Sequence, residues 1–198
     1  MFIAPPAPLY RTPYMQLDAR STALVLIDLQ RGVLAMPVAP HAAATVYDRS
    51  MQLAQRFRTA GSPVVMVRVS FSKDFADALR PEVDQPPNYG ALPANWDEFP
   101  ESLSPSDIVI TKRQWGAFHG TELDLQLRRR GVRRIVLGGI ATNIGVESTA
   151  RSAYEHGYEL VVAEDLCSST SAEMHAFCIR HIMPRIARVT DSNTIVLE

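Results

Sequence analysis

The chain has 198 residues, 46% of them hydrophobic, and carries 20 Lys and Arg against 21 Asp and Glu. This length fits one domain with its own core, and the net charge of −1 gives no electrostatic reason to expect nucleic acid or a membrane as a partner. Two cysteines cannot form a disulfide framework, no apolar run reaches the roughly 20 residues of a membrane span, and the N-terminus has no signal-peptide pattern. We therefore expect a cytoplasmic protein.

Residues 1–21 differ in composition from the rest of the chain. They hold four of its 14 prolines and show neither helical nor strand periodicity. We interpret them as an extended N-terminal arm that lies over the body of the protein or over a neighbouring subunit. Residues 22–198 are then expected to form a single domain.

Hydrophobic patterning predicts alternating strands and helices from residue 22 onward. Near-continuous apolar runs, typical of strands covered on both faces, occur at residues 22–28, 64–69, 107–111, 134–140, 158–163 and 186–189. Helical spacing and capping signals predict helices at residues 42–60, at 121–130, before Gly157, and after a capping box at Thr170–Glu173. Residues 70–106 are rich in proline without periodicity, and so long a loop is usually functional, as a lid or a pocket wall.

This alternation predicts the fold class. Strands followed by helices form a doubly wound, mainly parallel six-stranded sheet with helices on both faces. In such a sheet, ligands bind outside the carboxyl ends of the strands, near the point where the strand order reverses. The reactive side chains at the strand ends are therefore the first candidates for a functional site.

Three chain segments bring reactive groups to those ends. Asp28 closes the first strand, Lys112 closes the third, and the fourth runs through Gly138 and Gly139 into a turn that opens a helix. A carboxylate, an ammonium and the N–H groups of a helix start can together move a proton and stabilise an oxyanion. Spacing alone leaves an alternative open, in which Asp28 caps a turn and Lys112 is a surface lysine.

The same segments resemble those of a known family. "ALVLIDLQRGV", "TKRQWGAFHGTEL" and "GGIATNIGVESTARSAYEHGYELVVAEDLCSS" resemble, in this order, three motifs of the isochorismatase-like hydrolases, which include nicotinamidases and carbamoyl amidohydrolases. The resemblance spans residues 20–190 and implies that Asp28 and Lys112 are the catalytic acid and lysine. It also implies a small-molecule substrate and, together with the proline-rich arm, a homo-oligomer.

The third motif departs from the common pattern at Gly145. Most members of the family carry a nucleophilic cysteine there, and glycine cannot form the thioester through which such a triad hydrolyses amides. Isochorismatases also lack this cysteine, and the resemblance implies that their aspartate donates a proton to a vinyl ether. The sequence thus favours hydrolysis by Asp28 and Lys112 without a covalent cysteine step. The alternative is a catalytically inactive relative that binds a small ligand or serves as an assembly subunit.

The resemblance also places residues around the substrate. It implies a cis peptide between Ile140 and Ala141, with the amides of Ala141 and Gly145 forming an oxyanion site. Ser70 and Ala141 stand where isochorismatases carry Gln and Tyr, which argues against isochorismate itself as substrate. Trp115 and Phe118 are candidates for the pocket wall, although aromatic residues after a strand are as often part of the core.

The remaining polar and basic groups are assigned structural roles. Nicotinamidases hold zinc through residues after the second strand, but residues 68–74 contain no histidine and the five histidines show no ligand spacing, so we predict no metal and no cofactor. Cys167 is not expected to be a displaced nucleophile, and Cys178 is expected in the core on one helix face with Met174, Phe177 and Ile182. We expect Asp165 to tie down a neighbouring turn, and the basic run 128–134 to be a solvated helix end.

Overall fold

A computed structural model describes residues 14–86 and 92–198. The strands are β1 (Met15–Leu17), β2 (Thr22–Ile27), β3 (Val64–Val69), β4 (Ile108–Lys112), β5 (Arg134–Ile140), β6 (Glu159–Ser168), β7 (Arg188–Thr190) and β8 (Ile195–Leu197). The α-helices are α1 (Arg31–Leu34), α2 (Ala43–Thr59), α3 (Leu123–Arg129), α4 (Glu147–Glu155) and α5 (Ala172–Phe177). Short 3₁₀ or π turns occur at Ala19–Ser21, Thr142–Val146, Cys178–Ile182, Met183–Arg185 and Ser192–Thr194.

Within the described residues the main sheet has six strands, all parallel, in the order β4-β3-β2-β5-β6-β7. The chain starts in the middle at β2, builds outward through β3 and β4, and then returns to β5 on the other side of β2. The strand order therefore reverses between β2 and β5, which is where a doubly wound sheet leaves a crevice. The predicted fold class is confirmed.

Two hydrophobic clusters cover the two faces of the sheet. Successive residues of β2 alternate between them, with Leu24 and Leu26 in the cluster that contains Phe57 of α2, and Val25 and Ile27 in the cluster that contains residues of α3 and α4. Every residue of β2 is buried, as the continuous apolar run predicts for a central parallel strand. The molecule thus has three layers, with the sheet in the middle.

A second, two-stranded parallel sheet was not predicted from the sequence. In it β1 pairs with β8, with Met15 opposite Ile195 and Leu17 opposite Leu197. Met15 and Leu17 are buried, so the last part of the predicted arm packs against the body of the protein. Residues 1–13 of the arm, and residues 87–91 of the predicted loop 70–106, lie outside the described residues.

The structure corrects several predicted boundaries. β6 is longer than predicted and continues through Ser168, because a register shift in its pairing with β5 brings Cys167 opposite Gly139. β4 includes Lys112, and β7 begins two residues later than the predicted sixth strand. Among the helices in the described part of the chain, none has the length and hydrophobicity needed to cross a membrane.

Both predicted capping boxes were wrong in detail. The hydroxyl of Ser171, not Thr170, accepts hydrogen bonds from the amides that open α5. α3 begins after Glu122, and Thr121 accepts a hydrogen bond only from the amide of Leu123. In the described part of the chain, neither Asp124 nor Glu173 returns a hydrogen bond to the cap residue, so neither helix start is a complete capping box.

Candidate active site

A buried ion pair lies at the carboxyl ends of β2 and β4. Lys112 Nζ donates to Asp28 Oδ2 over 2.8 Å and to the carbonyl of Gln114 over 3.1 Å. The side chain of Lys112 is 2% exposed and that of Asp28 is 10% exposed. The structure therefore brings together the two residues that the sequence singled out, across the intervening strand β3, and it excludes a surface position for Lys112.

The backbone holds Asp28 in an uncommon conformation. Its φ is 55°, in the left-handed region that aspartate tolerates better than most residues, and its amide donates to the carbonyl of Val67 over 2.9 Å. This turn directs the chain away from the sheet into α1. The side chain consequently lies over the end of the sheet and faces Lys112.

The carboxyl of Asp28 is only half satisfied. Burial raises its pKa, and the opposing attraction of Lys112 acts in the other direction. Oδ2 accepts from Lys112, whereas Oδ1 is buried and has no hydrogen-bond partner among the described residues. A buried carboxyl oxygen without a partner is costly, and Oδ1 is one of three such side-chain atoms among the described residues.

The turn after β5 approaches this carboxyl through Gly145. The peptide bond between Ile140 and Ala141 is cis, at the place that the resemblance implied, and the π-helical turn Thr142–Val146 follows it. A Cβ at position 145 would lie 3.2 Å from Asp28 Oδ2 and 3.0 Å from Ile27 Cγ2. The main chain of Gly145 therefore borders the Asp28 carboxyl, and any side chain there would crowd it.

Thr149 fixes the segment after Lys112 to this turn. Its hydroxyl donates to the carbonyl of Gly145 over 2.7 Å and accepts from the amide of Ala117 over 3.1 Å. The carbonyl of Trp115 would lie 3.5 Å from a Cβ at Gly145. Three chain segments thus converge on Asp28, with Thr149 joining two of them.

Part of the predicted loop lies against the strand ends, held by a residue that the sequence analysis missed. Gln30 is fully buried; its Oε1 accepts from the amide of Val69 over 2.8 Å, and its Nε2 donates to the carbonyls of Val69 and Trp96. A glutamine two residues after Asp28, at the same strand end, was the signal available in the sequence.

Ser70 follows β3 directly and lies beside the loop segment that contains Trp96 and Asp97. Its amide donates to the carbonyl of Lys112, and its hydroxyl donates to Asp97 Oδ2 over 2.6 Å. The rings of Phe71 and Trp96 stack beside it, with centroids 5.8 Å apart. Ser70 therefore borders the main chain of Lys112, while its own hydroxyl is engaged by Asp97.

The two predicted aromatic residues differ in their surroundings. The side chain of Trp115 is 64% exposed, whereas Phe118 is buried in the core cluster and contacts the rings of His156 and Tyr158. The described contacts of Phe118 are thus core contacts, which is the alternative that the sequence left open. His119, the next residue, is exposed.

Neither cysteine shows the properties of an activated nucleophile. Cys167 and Cys178 are buried free thiols, and burial raises the pKa of each above its usual range. The core position of Cys178 is confirmed, but Phe177 and Met174 were placed wrongly, because both side chains are mostly exposed.

Asp165 and the basic run make structural contacts. Both Asp165 oxygens are bound by Ser192, through its amide and its hydroxyl, so the segment that Asp165 ties down is distant in sequence and not a neighbouring turn. In the basic run, Arg128 contacts Asp124 and lies over the Tyr158 ring, and Arg134 pairs with Glu159. These contacts place both arginines in intramolecular interactions.

A metal site in a protein needs a cluster of His, Cys, Asp or Glu side chains. Over residues 14–86 and 92–198, no group of three or more His, Cys, Asp or Glu side chains is arranged to hold a metal ion. The expectation that the protein uses no metal or cofactor stays a prediction.

Comparison with known proteins agrees with this architecture. The family model described as the isochorismatase domain matches residues 22–194. The chain is 55% identical over 184 residues to an uncharacterized isochorismatase family protein, YecD, of Escherichia coli O157:H7, covering 92% of this chain and 98% of that protein. It is 38% identical over 143 residues to the ureidoacrylate amidohydrolase RutB of Acinetobacter baylyi, covering 69% of this chain and 55% of that protein.

A solved structure shows the same fold. An isochorismatase family protein from Burkholderia thailandensis superimposes with a TM-score of 0.86 and 44% sequence identity, covering 89% of this chain and 94% of that chain. Since the family model spans the whole main sheet, and since YecD and the Burkholderia thailandensis protein match over nearly their full length, the chain belongs to the isochorismatase domain family of hydrolases.

Proposed function

We propose that the protein hydrolyses a small molecule by acid–base catalysis with Asp28 and Lys112, without a covalent cysteine step. The reaction is the cleavage of a vinyl ether or a related C–O or C–N bond. The observation that carries the proposal is the Asp28 carboxyl, which is buried and bordered by Gly145. One of its oxygens is paired with Lys112, and the other has no partner in the described part of the chain.

The geometry suits proton donation by Asp28. Burial raises the pKa of its carboxyl, which favours the protonated acid. The acid gives its proton to the terminal carbon of the vinyl ether, and water adds to the resulting oxocarbenium ion. The hemiketal so formed releases the alcohol and leaves a ketone, while the proton lost by the water returns to Asp28. Lys112 stabilises the carboxylate in the interval between the two transfers.

Gly145 decides between this route and a thioester. It stands where the family resemblance places a nucleophilic cysteine, and it contributes only main-chain atoms to the site. The N–H groups of Gly145 and Ala141 serve as donors to the departing alcohol oxygen, which gains negative charge as the C–O bond of the hemiketal breaks. Similarity to the ureidoacrylate amidohydrolase RutB supports testing ureido acids and amides too, although that relative matches only part of its own length.

The surroundings complete the proposal. Trp115 and Ser70 border the substrate through the segments described above, whereas Phe118 supports them from the core. We place the enzyme in the cytoplasm, as a homo-oligomer without nucleic-acid or membrane partners. Light scattering that finds only particles of the chain mass, 21.9 kDa, would contradict the oligomer.

A substrate screen tests the function. The purified protein is assayed against vinyl ethers, amides and ureido acids, with Asp28→Asn as the inactive variant and the exposed Asp48→Asn as the matched control. Turnover by the wild type and by Asp48→Asn, but not by Asp28→Asn, supports the proposal. Turnover that survives Asp28→Asn removes the acid–base assignment, and binding without any turnover favours the inactive relative.

A further inference from the structure

A chain of buried polar contacts runs from β6 to the turn that carries Gly145, outside the Asp28–Lys112 pair. His175 Nε2 lies 3.0 Å from Glu164 Oε1, and His175 Nδ1 lies 2.8 Å from Thr142 Oγ1. His175 is 3% exposed and Thr142 is fully buried. The sequence analysis assigned no role to any of these three side chains.

The ionisation of Glu164 determines which atoms donate in this row of hydrogen bonds. Hydrogen bonds from His175 and His41 lower the pKa of Glu164, so the ionised carboxylate can only accept. His175 Nε2 therefore donates to Glu164. When the His175 imidazole is neutral, Nδ1 accepts a hydrogen bond from the Thr142 hydroxyl. Donation then runs from Thr142 through His175 to Glu164.

The end of β6 also holds two further segments. Ser169 Oγ donates to Asn143 Oδ1, the residue after Thr142, and Ser168 Oγ donates to the carbonyl of His41 over 2.8 Å. His41 Nε2 lies 3.3 Å from the same Glu164 oxygen that His175 binds. The carboxyl end of β6 thus holds both the turn after β5 and the segment before α2.

We propose that Glu164 and His175 are positioning residues for the reaction, acting through Thr142 to hold the turn Thr142–Val146 against Asp28. This inference rests on the proposed function for its kinetic part. Thr142 opens the turn and Gly145 lies three residues further on, so a displaced Thr142 shifts the Gly145 amide relative to the Asp28 carboxyl. Errors of about 1 Å in such placement reduce turnover strongly while leaving substrate binding nearly intact.

Substitutions at Thr142 and His175 that keep the side-chain volume but remove the hydrogen bonds test the positioning role. Thr142→Val keeps the shape and removes the hydroxyl, and His175→Phe fills the space but removes both hydrogen bonds. His175→Gln supplies an amide N–H for Glu164 and a carbonyl for Thr142. The exposed His181, six residues after His175, provides the matched control His181→Ala.

The kinetic expectation is a split between kcat and KM. We expect Thr142→Val and His175→Phe to lower kcat about tenfold to a hundredfold, with KM changed less than about twofold. His175→Gln recovers most of kcat, and His181→Ala keeps it. In the double variant the two losses do not add, because both act on one contact. Additive losses, or a loss in KM alone, overturn the proposal.

Hydrogen exchange of the turn provides a readout that does not need a substrate. We expect amides of residues 142–146 to exchange about tenfold faster in Thr142→Val and His175→Phe than in the wild type, with β5 and β6 unchanged. If no substrate is turned over, the proposed function fails but this measurement still decides. Unchanged exchange in the turn, or faster exchange spread over the whole sheet, contradicts the positioning role.

Discussion

Two buried aspartates stand on neighbouring parts of the same sheet and differ in how their oxygens are used. Asp165, within β6, has both oxygens bound by Ser192, and burial raises its pKa. Asp28, after β2, shares one oxygen with Lys112 and leaves the other unpartnered among the described residues, and burial raises its pKa too. A raised pKa alone thus does not separate the two, but hydrogen-bond satisfaction does.

The comparison explains why the two acids have different tasks. Both Asp165 oxygens accept hydrogen bonds from Ser192, 27 residues away, so the role of Asp165 is to join β6 to that segment. The Asp28 carboxyl has an unused oxygen beside a buried cation, and it is the group to which we assign proton transfer in the proposed function. The following substitutions test this distinction, from the largest expected effect to the smallest.

Exchanging each acid for its amide is expected to separate activity from stability. Asp28→Asn should lower kcat about 10²–10⁴-fold, since it removes the proton donor. Asp165→Asn should retain kcat but lower the melting temperature, because Ser192 loses a charged acceptor. Steady-state kinetics and thermal unfolding of both variants check this. Equal kinetic losses in the two would erase the distinction.

Removing the Lys112 ammonium is expected to destabilise the fold, because Asp28 is buried beside it. Lys112→Met should lower the free energy of unfolding at neutral pH by about 3–5 kcal/mol, because the buried Asp28 carboxyl loses its partner and must take up a proton to stay buried. The double variant Asp28→Asn/Lys112→Met should recover most of this loss, as it leaves no buried charge. Urea unfolding measures both, and a double variant less stable than Lys112→Met would argue against this account.

Adding a side chain at Gly145 tests the crowding of Asp28. We expect Gly145→Cys to lower the proposed activity about tenfold or more, since a Cβ there meets Asp28 Oδ2 at 3.2 Å and Ile27 Cγ2 at 3.0 Å. The introduced thiol lies beside Lys112 and Asp28, and it should react with iodoacetamide faster than the wild-type thiols, which are buried with raised pKa values. Labelling no faster than that of Cys167 would exclude an activating environment.

The pH dependence of stability should show the smallest effect. A carboxyl whose pKa is raised in the folded protein stabilises it fully below the unfolded value of 3.8, and this contribution is lost as pH rises through the folded pKa. Asp165→Asn should therefore reduce the slope with which the free energy of unfolding falls between pH 3.8 and the raised folded pKa. Urea unfolding at a series of pH values measures it, with Asp48→Asn as the control, and an unaltered slope would contradict the raised pKa.

The sequence predicted the elements that depend on local pattern. The continuous apolar runs located β2, β3 and β5, because a central parallel strand is buried on both faces. The acid at the end of β2 and the lysine at the end of β4 were both found, since strand ends in a doubly wound sheet are where ligands bind. Capping boxes failed, because one serine or threonine close to a helix start satisfies the same orphan amides as another.

Contacts between distant residues could not be predicted in the same way. The β1–β8 pair joins the two ends of the described chain, and no local pattern marks two three-residue strands as partners. Gln30 was missed because its side chain accepts a hydrogen bond from the backbone amide of Val69, which is 39 residues away in sequence. The contact of His175 with Thr142 spans 33 residues and exists only because α5 packs beside the turn after β5.

The family resemblance singled out Gly145, in the turn after β5. The sequence pattern by itself determined the fold class, the order of the six main strands along the chain and the presence of Asp28 and Lys112 at strand ends. These follow from hydrophobic periodicity, which is a local property of the chain. Only the tertiary structure decided that Lys112 is buried against Asp28, that one Asp28 oxygen has no partner among the described residues, and that His175 lies between Glu164 and Thr142. Such facts depend on which surfaces meet once the sheet is assembled, and burial then sets the electrostatics of each group.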